Sequence, residues 1–155
     1  MHNPTVIKDG DYYYMYQTDA SYGPDYDRER IDFWVNEGPA VIKNKSKIYI
    51  TYSVSATGTF YCMGMMETDV ESDLLDRNFC KKSRHPVLET ENEKKMYGLG
   101  HNSFKIAADG VIPLSIYHAR DYEEIVGDPL YDSNRQARAM QVKFDREGKL
   151  IFKFY

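Results

Sequence analysis

Cysteine and long apolar runs are nearly missing from this chain. Its only cysteines are Cys62 and Cys80, so no disulfide framework is expected. The two thiols either pair with each other or remain small buried hydrophobic groups. No basic segment followed by an apolar run opens the chain, and no stretch reaches the roughly 18 apolar residues of a membrane span. No membrane contact is expected, and the compartment stays open between secreted, periplasmic and cytoplasmic.

Positive charge is also in deficit. The net charge is -4 and the isoelectric point is near 5.6, so the chain lacks the basic field that attracts phosphate backbones. Nucleic acid is therefore not an expected partner. Tryptophan occurs once, whereas tyrosine occurs 14 times. Tyrosine clusters on half-buried strands are typical of sheet packing, with the lining of a sugar groove as the alternative.

The chain is rich in short alternating segments separated by turn signals. Asp9-Gly10 is a strong hairpin signal between two such segments, and three later pairs flank comparable turns. Helical periodicity is confined to residues 71–78, where one or two turns are expected. The pattern predicts an all-β fold, either a sandwich, a barrel or a set of propeller blades. The predicted strands cover residues 5–8, 12–16, 40–43, 47–52, 60–66, 103–106, 112–117, 139–144 and 149–152.

One carboxylate stands out by its surroundings. Glu37 follows an aromatic segment that includes Trp34 and precedes a Gly-Pro turn and an apolar strand. Burial beside aromatic side chains keeps some carboxyl groups protonated near neutral pH, which is what a glycosidase proton donor needs. We therefore expect Glu37 to be an acid catalyst. The alternative is a solvated glutamate in a loop that enters a strand.

Further motifs follow this glutamate in a fixed order, at residues 51–57, 61–64, 97–104 and 117–131. Together they resemble the C-terminal half of glycoside hydrolase family 43, from about Tyr26 to Phe152. The family consists of five-bladed β-propellers and includes α-L-arabinofuranosidases and β-xylosidases. Five separated motifs in the same order are far more specific than a lone Glu-Gly-Pro. The resemblance selects propeller blades from the all-β alternatives.

The length bears on this expectation. A ring of five four-stranded blades needs roughly 200 to 250 residues, and this chain has 155. We expect a single partial propeller domain over residues 1–155, with a first-blade-like hairpin at 1–18 and the C-terminal blades at 26–155. Unpaired blade edges favour association between strands. A homo-oligomer is therefore one expected state.

The resemblance also implies roles for particular residues. Family 43 enzymes invert the anomeric centre with one acid and one base, and Glu37 is at the position of the acid. His101 matches a central-cavity histidine that holds an ordered water or contacts a Ca²⁺ ion through water. Arg138 matches a final-blade arginine that reaches the sugar subsite. The alternatives are a loop histidine bonded to a backbone carbonyl and a surface arginine on an edge strand. Residues 117–120 are expected to be structural first and substrate-facing second.

The general base is the weak point of the resemblance. Asn3 stands where relatives have an aspartate, and an amide cannot accept the proton of water at neutral pH. Asp19, Asp25 and Asp27 match no family motif. No cofactor is expected to be required apart from the Ca²⁺ considered for the central cavity.

The expected function is that of an exo-acting glycosidase on plant cell-wall polysaccharides that carry arabinose or xylose, with very low turnover. The sequence does not separate the two sugars. Two other classes fit it, namely a non-catalytic carbohydrate-binding module and a propeller fragment that assembles with copies of itself.

Overall fold

The computed structural model describes residues 5–9, 11–16 and 36–154. Within these residues the chain forms one two-stranded and two four-stranded antiparallel sheets, with the orders β1-β2, β3-β4-β5-β6 and β10-β9-β8-β7. The strands are β1 (Thr5–Asp9), β2 (Tyr12–Tyr16), β3 (Asn36–Lys43), β4 (Lys47–Val54), β5 (Cys62–Asp69), β6 (Lys81–Lys82), β7 (Tyr97–Ile106), β8 (Pro113–Arg120), β9 (Gln136–Phe144) and β10 (Leu150–Phe152).

An asparagine turn fixes the β3–β4 hairpin and ties it to the other four-stranded sheet. The Oδ1 atom of Asn44 accepts hydrogen bonds from the backbone N–H groups of Ser46 and Lys47, both at 2.8 Å. Such local bonds are why asparagine is favoured in turns. The Nδ2 atom of Asn44 and the hydroxyl of Tyr49 each donate to the carbonyl oxygen of Gly148, at 2.7 Å in both cases. Gly148 lies in the β9–β10 turn, so these bonds hold the two sheets together at one end.

The hydrophobic core lies between the two four-stranded sheets. Met63 and Leu99 are fully buried in one cluster with side chains from β8 and β9. A second cluster contains Tyr49 and Val142, again one residue from each sheet. Burying such side chains provides about 1.5–3 kcal/mol each. This packing brings the first strands of the two sheets, β3 and β7, into contact.

The prediction of antiparallel propeller blades is confirmed, and several boundaries differ. β3 and β7 begin at Asn36 and Tyr97, earlier than the alternation indicates. The expectation of one or two helical turns over 71–78 is wrong in extent, because only a 3-10 turn forms, at Arg77–Phe79. A second such turn is Pro129–Tyr131. In the described part of the chain, no helix is long and apolar enough to cross a membrane.

No disulfide joins the two cysteines. Cys62 is buried on β5 and Cys80 is partly buried. Only Cys62 therefore fits the expectation of a small buried group.

Candidate active site

Two irregularities in the strands build the site where β3 meets β7. The register between β3 and β4 shifts after Glu37, at Gly38, which has a φ of 56°. The register between β7 and β8 shifts on either side of Gly100, so His101 lies in a bulge. β-Bulges redirect side chains and are common beside active sites. Here they direct Glu37 and His101 towards each other.

His101 has an unusual backbone conformation. Its φ of 49° lies in the left-handed region, which costs a non-glycine residue on the order of 1 kcal/mol or more. Its backbone N–H donates to the Oγ atom of Ser53 at 2.6 Å, which holds the bulge in place. A Cβ atom on Gly38 would lie 3.1 Å from the Nδ1 atom of His101. The glycine therefore permits the close approach of the imidazole to β3.

Two side chains hold the carboxylate of Glu37. The hydroxyl of Tyr61 donates to its Oε1 atom. The Nδ1 atom of His101 lies 3.1 Å from its Oε2 atom and 3.3 Å from its Oε1 atom. The Glu37 side chain is 17% exposed, so it is mostly buried but still reached by solvent. A mostly buried carboxyl with a fixed orientation is suited to proton transfer.

His118 forms the wall of the site next to Tyr61. Its ring stacks on the ring of Tyr61, with centroids 5.3 Å apart, and lies 6.2 Å from the ring of His101. Both ring nitrogens of His118 are buried and have no hydrogen-bond partner. Burial lowers the pKa of His118 to about 4, helped by the positive charges of Arg135, His101 and Arg120. His118 is thus a neutral ring that supports the tyrosine.

The two histidines are shifted in opposite directions. The hydrogen bond to Glu37 raises the pKa of His101 above its usual value, although burial and Arg135 act against this. The contact with Glu37 therefore favours the protonated form of His101.

The third predicted site residue, Arg138, lies one strand away from His118. It is on β9, opposite Tyr117 in β8. Its guanidinium forms an ion pair with Asp121, and its Nε atom is buried without a hydrogen-bond partner. The described residues thus pair Arg138 with Asp121 rather than with Glu37. Arg135 is the guanidinium whose charge lowers the pKa of both His101 and His118.

A buried arginine anchors the loop between β8 and β9. Arg120 is 1% exposed, and its Nε atom lies 2.8 Å from the Oδ2 atom of Asp132. The hydroxyl of Tyr122 donates to the same oxygen at 2.6 Å. The bond from Tyr122 contributes most to lowering the pKa of Asp132 to about 2, with further help from Arg120. Arg120 therefore has the structural role expected for it, and it fixes a loop that starts beside the site.

Sequence reasoning selected Glu37 and His101, and the structure places them in contact. Whether they act as the acid and the cavity histidine stays a prediction, as does the role of Arg138. Tyr61 was part of a motif, but no local signal marked it as the donor to Glu37. A signal could have come from Gly100, because a Cβ atom there would lie 2.5 Å from the ring of Tyr61. Glycines spaced along a strand indicate close approach of another side chain.

The described residues contain no group of three His, Cys, Asp or Glu side chains placed to hold a metal ion. Asn3, Asp19, Asp25 and Asp27 lie outside the described residues.

The site predicts a titration that NMR can measure. We expect His101 to titrate above the usual histidine value of roughly 6.5 and His118 near 4. Glu37→Gln should lower the pKa of His101 by removing the charged partner, whereas Glu123→Gln, at an exposed loop position, should leave it unchanged. The stabilisation from His101 is present below about pH 6.5 and is lost as pH rises through its folded-state pKa. The stabilisation from neutral His118 is present above about pH 6.5 and is lost as pH falls towards 4. Identical titration of both rings would contradict this geometry.

Comparison with known proteins shows which family the chain resembles. The family described as Glycosyl hydrolases family 43 matches residues 24–150. An extracellular exo-alpha-(1->5)-L-arabinofuranosidase of Streptomyces avermitilis is 43% identical over 120 residues, which are 77% of this chain and 25% of that protein. The enzyme of the same name from Streptomyces chartreusis is 46% identical over 106 residues, which are 68% of this chain and 32% of that protein. The crystal structure of an alpha-L-arabinofuranosidase from Lactobacillus brevis superposes with a TM-score of 0.89 at 33% identity, covering 97% of this chain and 55% of that one.

These matches show that the fold is that of glycosidases built from propeller blades. The chain belongs to glycoside hydrolase family 43. It spans a quarter to a third of the length of the curated relatives that it matches.

Proposed function

We propose that the protein is a glycosidase that removes terminal α-L-arabinofuranosyl residues from plant cell-wall polysaccharides. Membership of family 43 supports a glycosidase. The names of the two Streptomyces relatives, both exo-acting on α-(1→5)-linked arabinose, favour arabinose over xylose. Both names also say extracellular, so we propose the same location for the whole protein.

The observation that carries the proposal is the carboxylate of Glu37, which accepts a hydrogen bond from Tyr61 and contacts the imidazole of His101. Glu37 in its acid form donates a proton to the glycosidic oxygen as the bond to the anomeric carbon breaks. The proton then leaves with the aglycone alcohol. Water attacks the opposite face of the sugar and releases its own proton to the solvent, because Asn3 stands where the family has the base. In inverting enzymes the acid and the base stand roughly 6.5–9.5 Å apart to leave room for that water.

The tyrosine and the two histidines position this acid. The hydroxyl of Tyr61 fixes one oxygen of Glu37, and the neutral ring of His118 holds the ring of Tyr61 by stacking. His101 is near enough to return a proton to Glu37 after each turnover. Tyr61 and His101 have these roles because they contact Glu37, not because they contact the sugar. We propose the guanidinium of Arg138 as a donor to sugar hydroxyls, because it matches the final-blade arginine of the family.

The family position of the base, which is Asn3 in this chain, lies outside the described residues. With Asn3 at the position of the family aspartate, we expect slow turnover, since loss of a general base costs 10²- to 10⁴-fold as a rough range. Ca²⁺ prefers six to eight oxygen ligands, and near His101 the described residues offer one carboxylate. These residues alone do not fit the ion, and no catalytic step is assigned to it.

A direct test compares two chromogenic substrates, an aryl α-L-arabinofuranoside and an aryl β-D-xyloside. We expect slow release from the arabinoside, at least about tenfold faster than from the xyloside, because a pocket shaped for one pentose ring loses contacts with the other. NMR of the first product should show inversion at the anomeric carbon. Faster cleavage of the xyloside would transfer the proposal to a xylosidase. Binding of arabino-oligosaccharides without any turnover would favour the carbohydrate-binding alternative.

A further inference from the structure

A basic groove lies between the two four-stranded sheets, far from Glu37. It has a volume of about 510 Å³, and it is lined by five Lys or Arg side chains, by His85 and by two glutamates. The basic residues are Lys47, Lys81, Lys82, Arg84 and Lys149. This excess of positive charge occurs in a chain whose net charge is -4. The groove is therefore positively charged in a protein that is negatively charged as a whole.

The groove and the candidate active site are at opposite ends of the same strands. On β4, Ser53 pairs with Glu37 and Lys47 pairs with Asp69. Six residues of a strand span roughly 20 Å. A sugar bound at Glu37 would not reach the groove, so the groove is not a part of the glycosyl subsite.

The five basic side chains of the groove differ in their acidic partners. Lys47 forms ion pairs with Glu67 at 3.3 Å and Asp69 at 3.4 Å. By contrast, Lys81, Arg84 and Lys149 have no acidic partner in the parts of the chain that the structure describes.

Lys82 is partly desolvated. Burial lowers its pKa, and its ammonium group lies 5.9 Å from the centre of the Tyr52 ring. An anion that enters the groove would therefore meet Lys81, Arg84 and Lys149, the three basic side chains without an acidic partner among the described residues.

The spacing of these cations favours an elongated ligand. Lys47 is on β4 and Lys81 is on β6, with β5 between them, so their backbones are roughly 10 Å apart. Lys149 comes from the other sheet, immediately before β10. One structural role of lysines on an edge strand such as β6 is to block pairing with a further strand. That role does not account for Arg84 and Lys149, which lie outside β6.

We propose that this groove binds an acidic polysaccharide through the carboxylates of consecutive uronic acid residues. A linear polyuronate presents negative charges at regular intervals and matches cations spread over two strands, the segment after β6 and the β9–β10 turn. The inference rests on the proposed function in one respect, which is that the protein acts on cell-wall polysaccharides. The groove would then hold the enzyme on an acidic chain near its neutral arabinosyl substrate.

The test is a binding titration of a linear galacturonate oligosaccharide with the full chain, at low and high salt. The double variant Lys81→Glu/Arg84→Glu should weaken binding about tenfold or more, because two attractive charges become repulsive. The matched control is Lys105→Glu/Lys153→Glu, which changes the net charge equally at exposed positions away from the groove. We expect the control to bind almost as well as the wild type, and salt to weaken binding.

Three results would overturn the proposal. These are equal loss of affinity in both double variants, equal affinity for a neutral arabino-oligosaccharide, and inorganic phosphate competing as well as the oligosaccharide. A change of oligomeric state in the groove variant alone, measured by sedimentation without any loss of galacturonate binding, would instead assign the groove to a contact between copies of this chain. The probe has no arabinofuranosyl bond, so failure of the turnover assay and failure of this titration are separate outcomes.

Discussion

Replacing Glu37 by glutamine is expected to lower the cleavage of an arabinofuranoside with a poor leaving group by about two orders of magnitude or more. Glutamine keeps the size and a hydrogen-bond acceptor for Tyr61, but its amide is not acidic enough to transfer a proton to the glycosidic oxygen. The decisive measurement is kcat for two substrates, one with an alkyl or sugar leaving group and one with a nitrophenyl leaving group. The loss should be much smaller for the second, because a good leaving group departs without protonation.

The matched control for this variant is Glu123→Gln, which makes the same chemical change on an exposed loop. It should leave both rates unchanged. Tyr61→Phe tests the positioning, since it removes the donor to Glu37 and keeps the ring that His118 stacks on. Unchanged kcat of Glu37→Gln on the poor leaving group would remove Glu37 from the mechanism and with it the proposed acid.

The largest effect on stability is expected from Gly98→Ala. Gly98 has a φ of 61°, and a Cβ atom there would lie 2.4 Å from the carbonyl oxygen of Gly58. A left-handed conformation costs alanine on the order of 1 kcal/mol or more, and overpacking against a fixed backbone adds about 1–3 kcal/mol. We expect the free energy of unfolding to fall by roughly 3 kcal/mol, measured by urea denaturation.

Gly58→Ala is the control for this substitution, because a Cβ atom on Gly58 would have no neighbour within 4 Å. Its effect should stay within about 0.5 kcal/mol. If both variants unfolded at the same urea concentration, the close approach of residue 98 to residue 58 would not exist in solution.

The sequence predicts the positions of strands where local side-chain chemistry determines them. The Asp9-Gly10 signal placed a hairpin between 5–8 and 12–16, and β1 and β2 pair there. The Asn44 turn set the start of β4 at Lys47, since its side chain bonds the two following N–H groups. These contacts are between near neighbours in the chain. Local patterns therefore determine them.

The sequence alone does not predict the strand ends next to the site. β3 begins at Asn36 and β7 begins at Tyr97. Gly38 and Gly100 interrupt the alternation of polar and apolar residues, so the pattern alone does not predict these strand ends. These extensions pair with β4 and β8 across bulges. β6 consists of two lysines with low strand propensity, and it exists because it pairs with the edge of β5. In each case a distant strand supplies the hydrogen bonds.

The sequence by itself determined the all-β class, the family and the selection of Glu37 and His101, because these depend on turn residues and ordered motifs along the chain. Only the tertiary structure decided that Tyr61 and His101 bond Glu37, that His118 is a neutral stacked ring and that Arg138 pairs with Asp121. It also decided that five basic residues from two sheets share one groove. The physical reason is that a pKa or a charge pairing depends on atoms a few ångströms away in space, and the core between the sheets brings together groups from separate strands.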